Sequence, residues 1–258
     1  MRGRFLVLML FFALLACESP PPARFSPQLV VHCLLRAGEA VVFARVNRTY
    51  DLKERFNPVF PDARVRIFCH EDYLLRYGAG DTYYTDQPVP VNTGDTWQIQ
   101  VVKSGFDTVW GRTVVPAGFD IGFPRNGDTV SIADSIVWSR SRNACGYYLS
   151  FRQIIEGDTS YLDALIPNDS FGINYDPLFV RIPRMLFLTL VAPPPDSPPR
   201  PCTLWVWALD TNYYHWVRGG FGLGDSSRVT GGLGVLGSAV ERWRVVFVRG
   251  DTTVNLRR

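Results

Sequence analysis

Leu14-Leu15-Ala16-Cys17 places a small residue and then a thiol directly after an apolar run, and that order is suited to acyl attachment. Arg2 and Arg4 precede the run and Phe5 to Leu15 is almost wholly apolar, so residues 1–16 read as a secretory signal of the bacterial lipoprotein type. A run of about 11 residues is too short for a bilayer of roughly 30 Å of hydrocarbon, which argues for a cleaved segment over a transmembrane helix. Cleavage leaves Cys17 as the first residue of the mature chain, with its thiol and new amino group open to acylation. Each buried methylene contributes about 0.8 kcal/mol, so several acyl chains give stable anchoring where one does not.

Other reactive groups are scattered. Cys33, Cys69, Cys145 and Cys202 lack Cys-x-x-Cys spacing and only His32, His70 and His215 could join them, so no metal site is expected. In an oxidising compartment the natural pairing is Cys33 with Cys69 and Cys145 with Cys202; free buried cysteines fit as well, and connectivity stays open. His70-Glu71-Asp72 gathers three ligand types, but consecutive strand side chains point to opposite faces and converge only in a turn, so the stretch reads as a solvated hairpin connection. Gly224-Asp225-Ser226-Ser227 resembles the nucleophile block of GDS-type esterases. Those enzymes carry it early in an α/β fold, whereas here it lies near the end of a β-rich chain. A hydrolase using Ser226, with His215 as its partner, is one alternative function. The absence of G-x-S-x-G, H-E-x-x-H and phosphate-loop motifs favours a non-enzyme without a cofactor.

Aromatic residues offer binding chemistry instead. Of the tryptophans at 97, 110, 138, 205, 207, 216 and 243, most fall in apolar runs where core packing is the default. Trp205 and Trp207 share one strand face and are candidates for a ligand or partner surface, as are Gly232 and Gly234. Those glycines belong to Gly219 to Gly237, which holds eight glycines in nineteen residues and reads as a partner-binding loop or a mobile connection.

The elements that must position these residues are strands. Gln28 to Leu35, Ala40 to Val46, Ala63 to Cys69, Thr96 to Val102 and Thr108 to Val115 are rich in Val, Ile, Phe and Trp; a second series comprises Asp128 to Trp138, Gly146 to Ile155, Arg184 to Val191, Cys202 to Leu209 and Arg242 to Val248. Strands apolar on both faces need cover on both sides, and Asp210 to Val217, with Asp210 as N-cap, is a candidate helix to supply it. Gly-Asp-Thr recurs at Gly80, Gly94, Gly127, Gly157 and Gly250 as a turn idiom of irregular spacing. The expected fold is therefore all-β: two tandem sandwiches of transthyretin-like or Ig-like type, residues 26–117 and 118–258, after a Pro-rich spacer over 17–25. Losing Arg2 and Arg4 takes the formal charge from +3 to +1, which leaves no electrostatic case for nucleic acid.

Several fragments, taken in order, resemble one family. Leu29-Val30-Val31 resembles its opening strand, Asp62-Ala63-Arg64-Val65 a following strand, and Thr93-Gly94-Asp95-Thr96-Trp97 its Gly-led aromatic segment. Arg112-Thr113-Val114-Val115-Pro116 is similar to the end of its first domain, and Tyr213-Tyr214-His215-Trp216 to an aromatic helical stretch. Gly232 to Ser238 resembles its terminal glycine motif, with Leu236 where phenylalanine is usual. The family is the uncharacterised lipoprotein family called domain of unknown function 4249, of Bacteroidota-type envelopes. The resemblance implies sandwich domains, outer-membrane attachment and the company of TonB-dependent receptors, and it implies no catalytic residues.

The sequence thus points to a non-catalytic, lipid-anchored envelope protein that binds a partner protein or ligand at the outer membrane. The alternatives are a lectin-like glycan-binding module and the Ser226 hydrolase.

Overall fold

The computed structural model describes residues 25–51, 53–55, 57, 59–131, 134–155, 158–168, 178–181, 193, 196–220 and 227–250. The signal segment, Cys17, Arg184 to Val191 and Ser226 lie outside them.

Period-two alternation forms the first group of strands. Leu29–Arg36 (β1) buries Leu29, Val31, Cys33 and Leu35, and Arg64–Phe68 (β3) buries Val65 and Ile67 while Arg64 stays exposed. Phe43–Arg48 (β2), Asp72–Tyr77 (β4), Thr82–Tyr84 (β5), Thr96–Val102 (β6) and Val109–Val114 (β7) complete this group. The second group is Ile121–Phe123 (β8), Thr129–Val130 (β9), Ser135–Trp138 (β10), Gly146–Ile155 (β11), Asp158–Pro167 (β12), Leu178–Arg181 (β13), Arg200–Leu209 (β14) and Leu233–Val248 (β15). Among the described residues one helix, Thr211–Arg218 (α1), sits between β14 and β15, and Asp210 caps it by accepting from the backbone N–H groups of Asn212 and Tyr213. Among the described residues no helix is long and apolar enough to cross a membrane.

The strands pair in the order β12-β11-β14-β15-β1-β2-β5-β4-β3-β6-β7, with β9 beside β15, while β13-β10-β8 form a separate sheet. The all-β, sandwich-like architecture expected from the sequence is what forms. Strand β15 serves both halves of the chain. Its first part pairs in parallel with β1, from Val30 opposite Leu233 to Arg36 opposite Ala239. Its second part pairs antiparallel with β14. The N-terminal sandwich is therefore completed by a strand from beyond residue 118, and the buried residues of both halves join in one cluster.

Burial along β15 follows from this double role. Gly234 to Val240 are all buried, because the core covers one face and α1 the other, whereas Trp243, Val245 and Phe247 are exposed where no helix lies over them. Helix α1 rests on β1 and β15 through Tyr213 and Trp216, whose rings lie 6.0 and 5.9 Å from that of His32. In the C-terminal half, Trp138 of β10 packs edge-on against Tyr147 of β11 at 5.3 Å, which joins the small sheet to the large one.

The expected disulfides are not present: Cys33, Cys69, Cys145 and Cys202 are not bridged to one another. Cys145 directly precedes β11, whereas Cys202 lies at the far end of that strand, one step past the pair Arg152 and Thr203. About eight residues of strand, roughly 26 Å at 3.3 Å each, separate their levels; a disulfide requires Cα atoms within about 7 Å. Cys33 is fully buried opposite Ala44 on one side and Leu236 on the other, while Cys69 lies in the turn after β3. Burial pushes the thiols of Cys33 and Cys202 up to about 12, so both stay protonated packing groups at neutral pH.

Candidate functional site

The outer face of β12-β11-β14-β15 carries the predicted pair Trp205 and Trp207. Alternation along β14 turns Cys202, Leu204, Val206 and Ala208 inward and leaves Thr203, Trp205 and Trp207 half-buried outside. Register then sets the rows across the sheet. Trp205 lies opposite Ser150 on one side and Trp243 on the other; Trp207 lies opposite Tyr148 and Glu241; Thr203 lies opposite Arg152 and Val245. Strand β12 extends the rows with Asp163 beside Ser150 and Tyr161 beside Arg152.

The face is aromatic and exposed. Trp243 is 51% exposed, Tyr161 59% and Ile154 76%, with Val245 and Phe247 continuing the apolar strip. Charged groups hold the rings in place. The Arg152 guanidinium lies 4.9 Å from the centre of the Trp205 ring and that of Arg36 5.8 Å from the Trp207 ring, both within cation–π range. Tyr148 and Trp207 pack edge to face at 6.4 Å.

Glu241 lies diagonal to Trp205 across the β14–β15 pair, and Asp163 lies diagonal to Tyr148 across the β11–β12 pair. Burial raises the Glu241 carboxyl above its usual range despite the nearby Arg36 charge. Burial and the nearby Asp163 carboxylate also raise the Tyr148 phenol, so it remains a neutral donor. The arrangement offers flat ring surfaces, a stacked guanidinium and fixed carboxylates, a combination suited to contact.

Trp243, Tyr161 and Arg152 were not singled out from the sequence. In the run Trp243-Arg244-Val245-Val246-Phe247 the outward residues are as apolar as the inward ones, so patterning alone reads them as covered. Tyr161 belongs to β12, which the propensity pattern does not mark.

Gly232 and Gly234 are packing residues instead. Gly234 is buried at φ +115°, and a Cβ there would lie 1.8 Å from the carbonyl oxygen of Val31; a Cβ on Gly232 would lie 2.6 Å from that of Leu29. Both positions face β1 at backbone contact, which corrects their assignment to the partner surface. Ser227 makes a similar local contact, accepting from the Gly234 backbone N–H at 3.2 Å. His215 lies on α1 with its ring 5.3 Å from that of Tyr214.

A second concavity of about 410 Å³ opens between β1, β2 and α1, lined by His32, Arg45, Asn47, Arg48, Tyr50 and Trp216. Its cations are already engaged: Arg45 bonds Asp81 at 3.1 Å, and Arg48 pairs with Glu54 while stacking on Tyr50.

Comparison with known proteins gives a family match over most of the chain. The model for "Domain of unknown function (DUF4249)" matches residues 18–230. No curated protein matches. Among solved structures, DIP-gamma IG1+IG2 aligns at 10% identity over 87% of this chain and 98% of that one, with a TM-score of 0.20. Fibronectin(III)-like modules of Clostridium thermocellum CbhA align at 10% identity over 90% and 99%, with a TM-score of 0.23. The tandem Ig repeats of Dlar align at 10% identity over 87% and 98%, with a TM-score of 0.24.

Proposed function

Since the chain belongs to the family described as domain of unknown function DUF4249, we propose that it is a non-catalytic binding module of the cell envelope. In this reading a lipid on Cys17 holds it at the outer membrane, and the outer face of β12-β11-β14-β15 engages a protein there, with a TonB-dependent receptor as the partner class. The observation that carries the reading is the row Trp205–Trp243 with Arg152 stacked on Trp205. Trp, Tyr and Arg dominate the energetics of protein interfaces because they bury large rigid surfaces and keep a polar handle.

Co-purification from solubilised envelope tests this. Trp243→Ala is expected to weaken recovery of the partner at least tenfold with unchanged thermal unfolding, since the side chain is exposed and supports little of the fold. Phe43→Ala, at an exposed site on β2, is expected to leave recovery intact. Equal recovery from both variants contradicts the assignment of this face.

The exposed Trp243 ring favours one second reading, stacking on a pyranose of an envelope glycan. Quenching of tryptophan fluorescence by soluble oligosaccharides, lost in Trp243→Ala, would select it over the protein partner.

Anchoring has its own test. Cys17→Ser is expected to move the protein from the membrane fraction to the soluble one. An unmodified Cys17 at the native N-terminus, read by mass spectrometry, contradicts lipid attachment.

A further inference from the structure

We propose that Cys69, His70 and Asp95 form a three-residue site for a zinc-class divalent cation at one end of the N-terminal sandwich. The ligand atoms of the three side chains lie within 4.8 Å of one another, and Nε2 of His70 stands 3.9 Å from an oxygen of Asp95. Thiolate, imidazole and carboxylate at zinc bond lengths of about 2.0–2.3 Å sit roughly 3.3–3.8 Å apart in a tetrahedron. Closing the observed cluster to that spacing needs about an ångström of movement. His70, whose side chain is 85% exposed, is free to supply it.

The site is assembled by pairing, not by spacing in the chain. Strand β3 lies antiparallel to β6 with Phe68 opposite Gln98. This brings the residue after β3 beside the Gly-Asp-Thr turn that opens β6. Gly94 holds that turn at φ +88° and Asp95 follows it. On the other side the Cys69 N–H donates to the carbonyl of Glu71 at 3.1 Å, which folds the chain back so that Cys69 and His70 both reach Asp95.

The neighbouring acids are engaged elsewhere. Glu71 accepts from the Tyr73 hydroxyl at 2.9 Å, and Asp72 pairs with Arg66. The sequence triplet His70-Glu71-Asp72 therefore contributes one ligand, and the other two come from Cys69 and from the turn before β6.

Cys69 and Asp95 are both partly buried, so the fold holds two of the three ligands and only His70 stands out in solvent. With three protein ligands the fourth position falls to water, and the soft sulfur favours zinc over calcium or magnesium, which take all-oxygen shells. The ion would tie the β3–β4 turn to the β5–β6 turn.

Cobalt(II) is the probe, because thiolate coordination gives it a charge-transfer band that oxygen-only binding lacks. The purified, reduced chain in a Cys17→Ser background is titrated with cobalt and then with zinc. The expected result is one equivalent of cobalt with a thiolate band, displaced by zinc. Cys69→Ser abolishes the band, and His70→Ala or Asp95→Asn weakens binding tenfold or more. Glu71→Gln and Cys145→Ser leave it unchanged. Absence of a thiolate band at one equivalent overturns the proposal, and so does a band that survives in Cys69→Ser. Equal affinity in His70→Ala and the parent chain also overturns it, and that exposed side chain can be removed without disturbing the fold.

Discussion

Gly234→Ala is expected to destabilise the fold by about 4 kcal/mol or more, among the largest effects a single methyl group can have. The position pairs with Val31 across the parallel β1–β15 junction, and its φ of +115° belongs to glycine alone. An added Cβ would run into the Val31 backbone, 1.8 Å from its oxygen, 2.8 Å from its carbonyl carbon and 3.0 Å from its nitrogen. No side-chain rotation relieves that clash. Either β15 must withdraw from β1, which opens the seam between the two halves of the chain, or the strand must change its path. Gly38→Ala is the matched control, since Gly38 also has positive φ, +84°, but nothing lies within 4 Å of its Cβ position. Strain alone costs about 1–2 kcal/mol there. Urea unfolding of the two variants separates the effects: similar midpoints would show that the β1–β15 contact is looser than described.

Asp210→Ala comes next, at about 3 kcal/mol. Asp210 is buried, and one carboxylate oxygen accepts from the backbone N–H groups of Tyr213 and Ser238, each at 2.9 Å. The other accepts from the Asn212 N–H at 3.0 Å and the Thr113 hydroxyl at 2.8 Å. The same carboxylate thus caps α1, holds β15 and reaches β7 of the N-terminal sandwich. Loss of an N-cap costs about 1 kcal/mol, and leaving buried donors without an acceptor adds about 1–3 kcal/mol. Asp210→Asn keeps one oxygen and is expected to lose about half as much. If Asp210→Ala unfolds within 0.5 kcal/mol of the parent, a surface-like value, the capping network does not stabilise the junction as argued.

What could be read from the sequence was local. The bounds of β11 at Gly146 and Ile155, the alternation of Val65 and Ile67 against Arg64, and a helix capped by Asp210 all follow from neighbouring residues. What could not be read was remote or carried by unusual residues. The run from Gly231 to Gly237 has a loop's composition, yet five of its residues enter β15, because the missing side chains let it approach β1 and α1. Adding a Cβ to Gly237, for example, would meet the Tyr213 side chain at 2.5 Å.

The candidate face was half legible. Trp205 and Trp207 announced themselves by sharing a strand face, but the exposure of Trp243 depends on where α1 ends and the sheet continues uncovered. The Cys69–His70–Asp95 cluster was hidden for the same kind of reason. Linear spacing displays His70-Glu71-Asp72, whereas β3–β6 pairing selects Asp95.

Photo-crosslinking in intact cells tests the binding face most directly. A crosslinker at position 243 is expected to give one discrete adduct with an envelope protein, lost when Trp205→Ala removes the neighbouring ring, while a crosslinker at the exposed position 74 on β4 gives none. A discrete adduct from position 74 and none from position 243 would contradict the assignment and move the partner surface to the N-terminal sandwich.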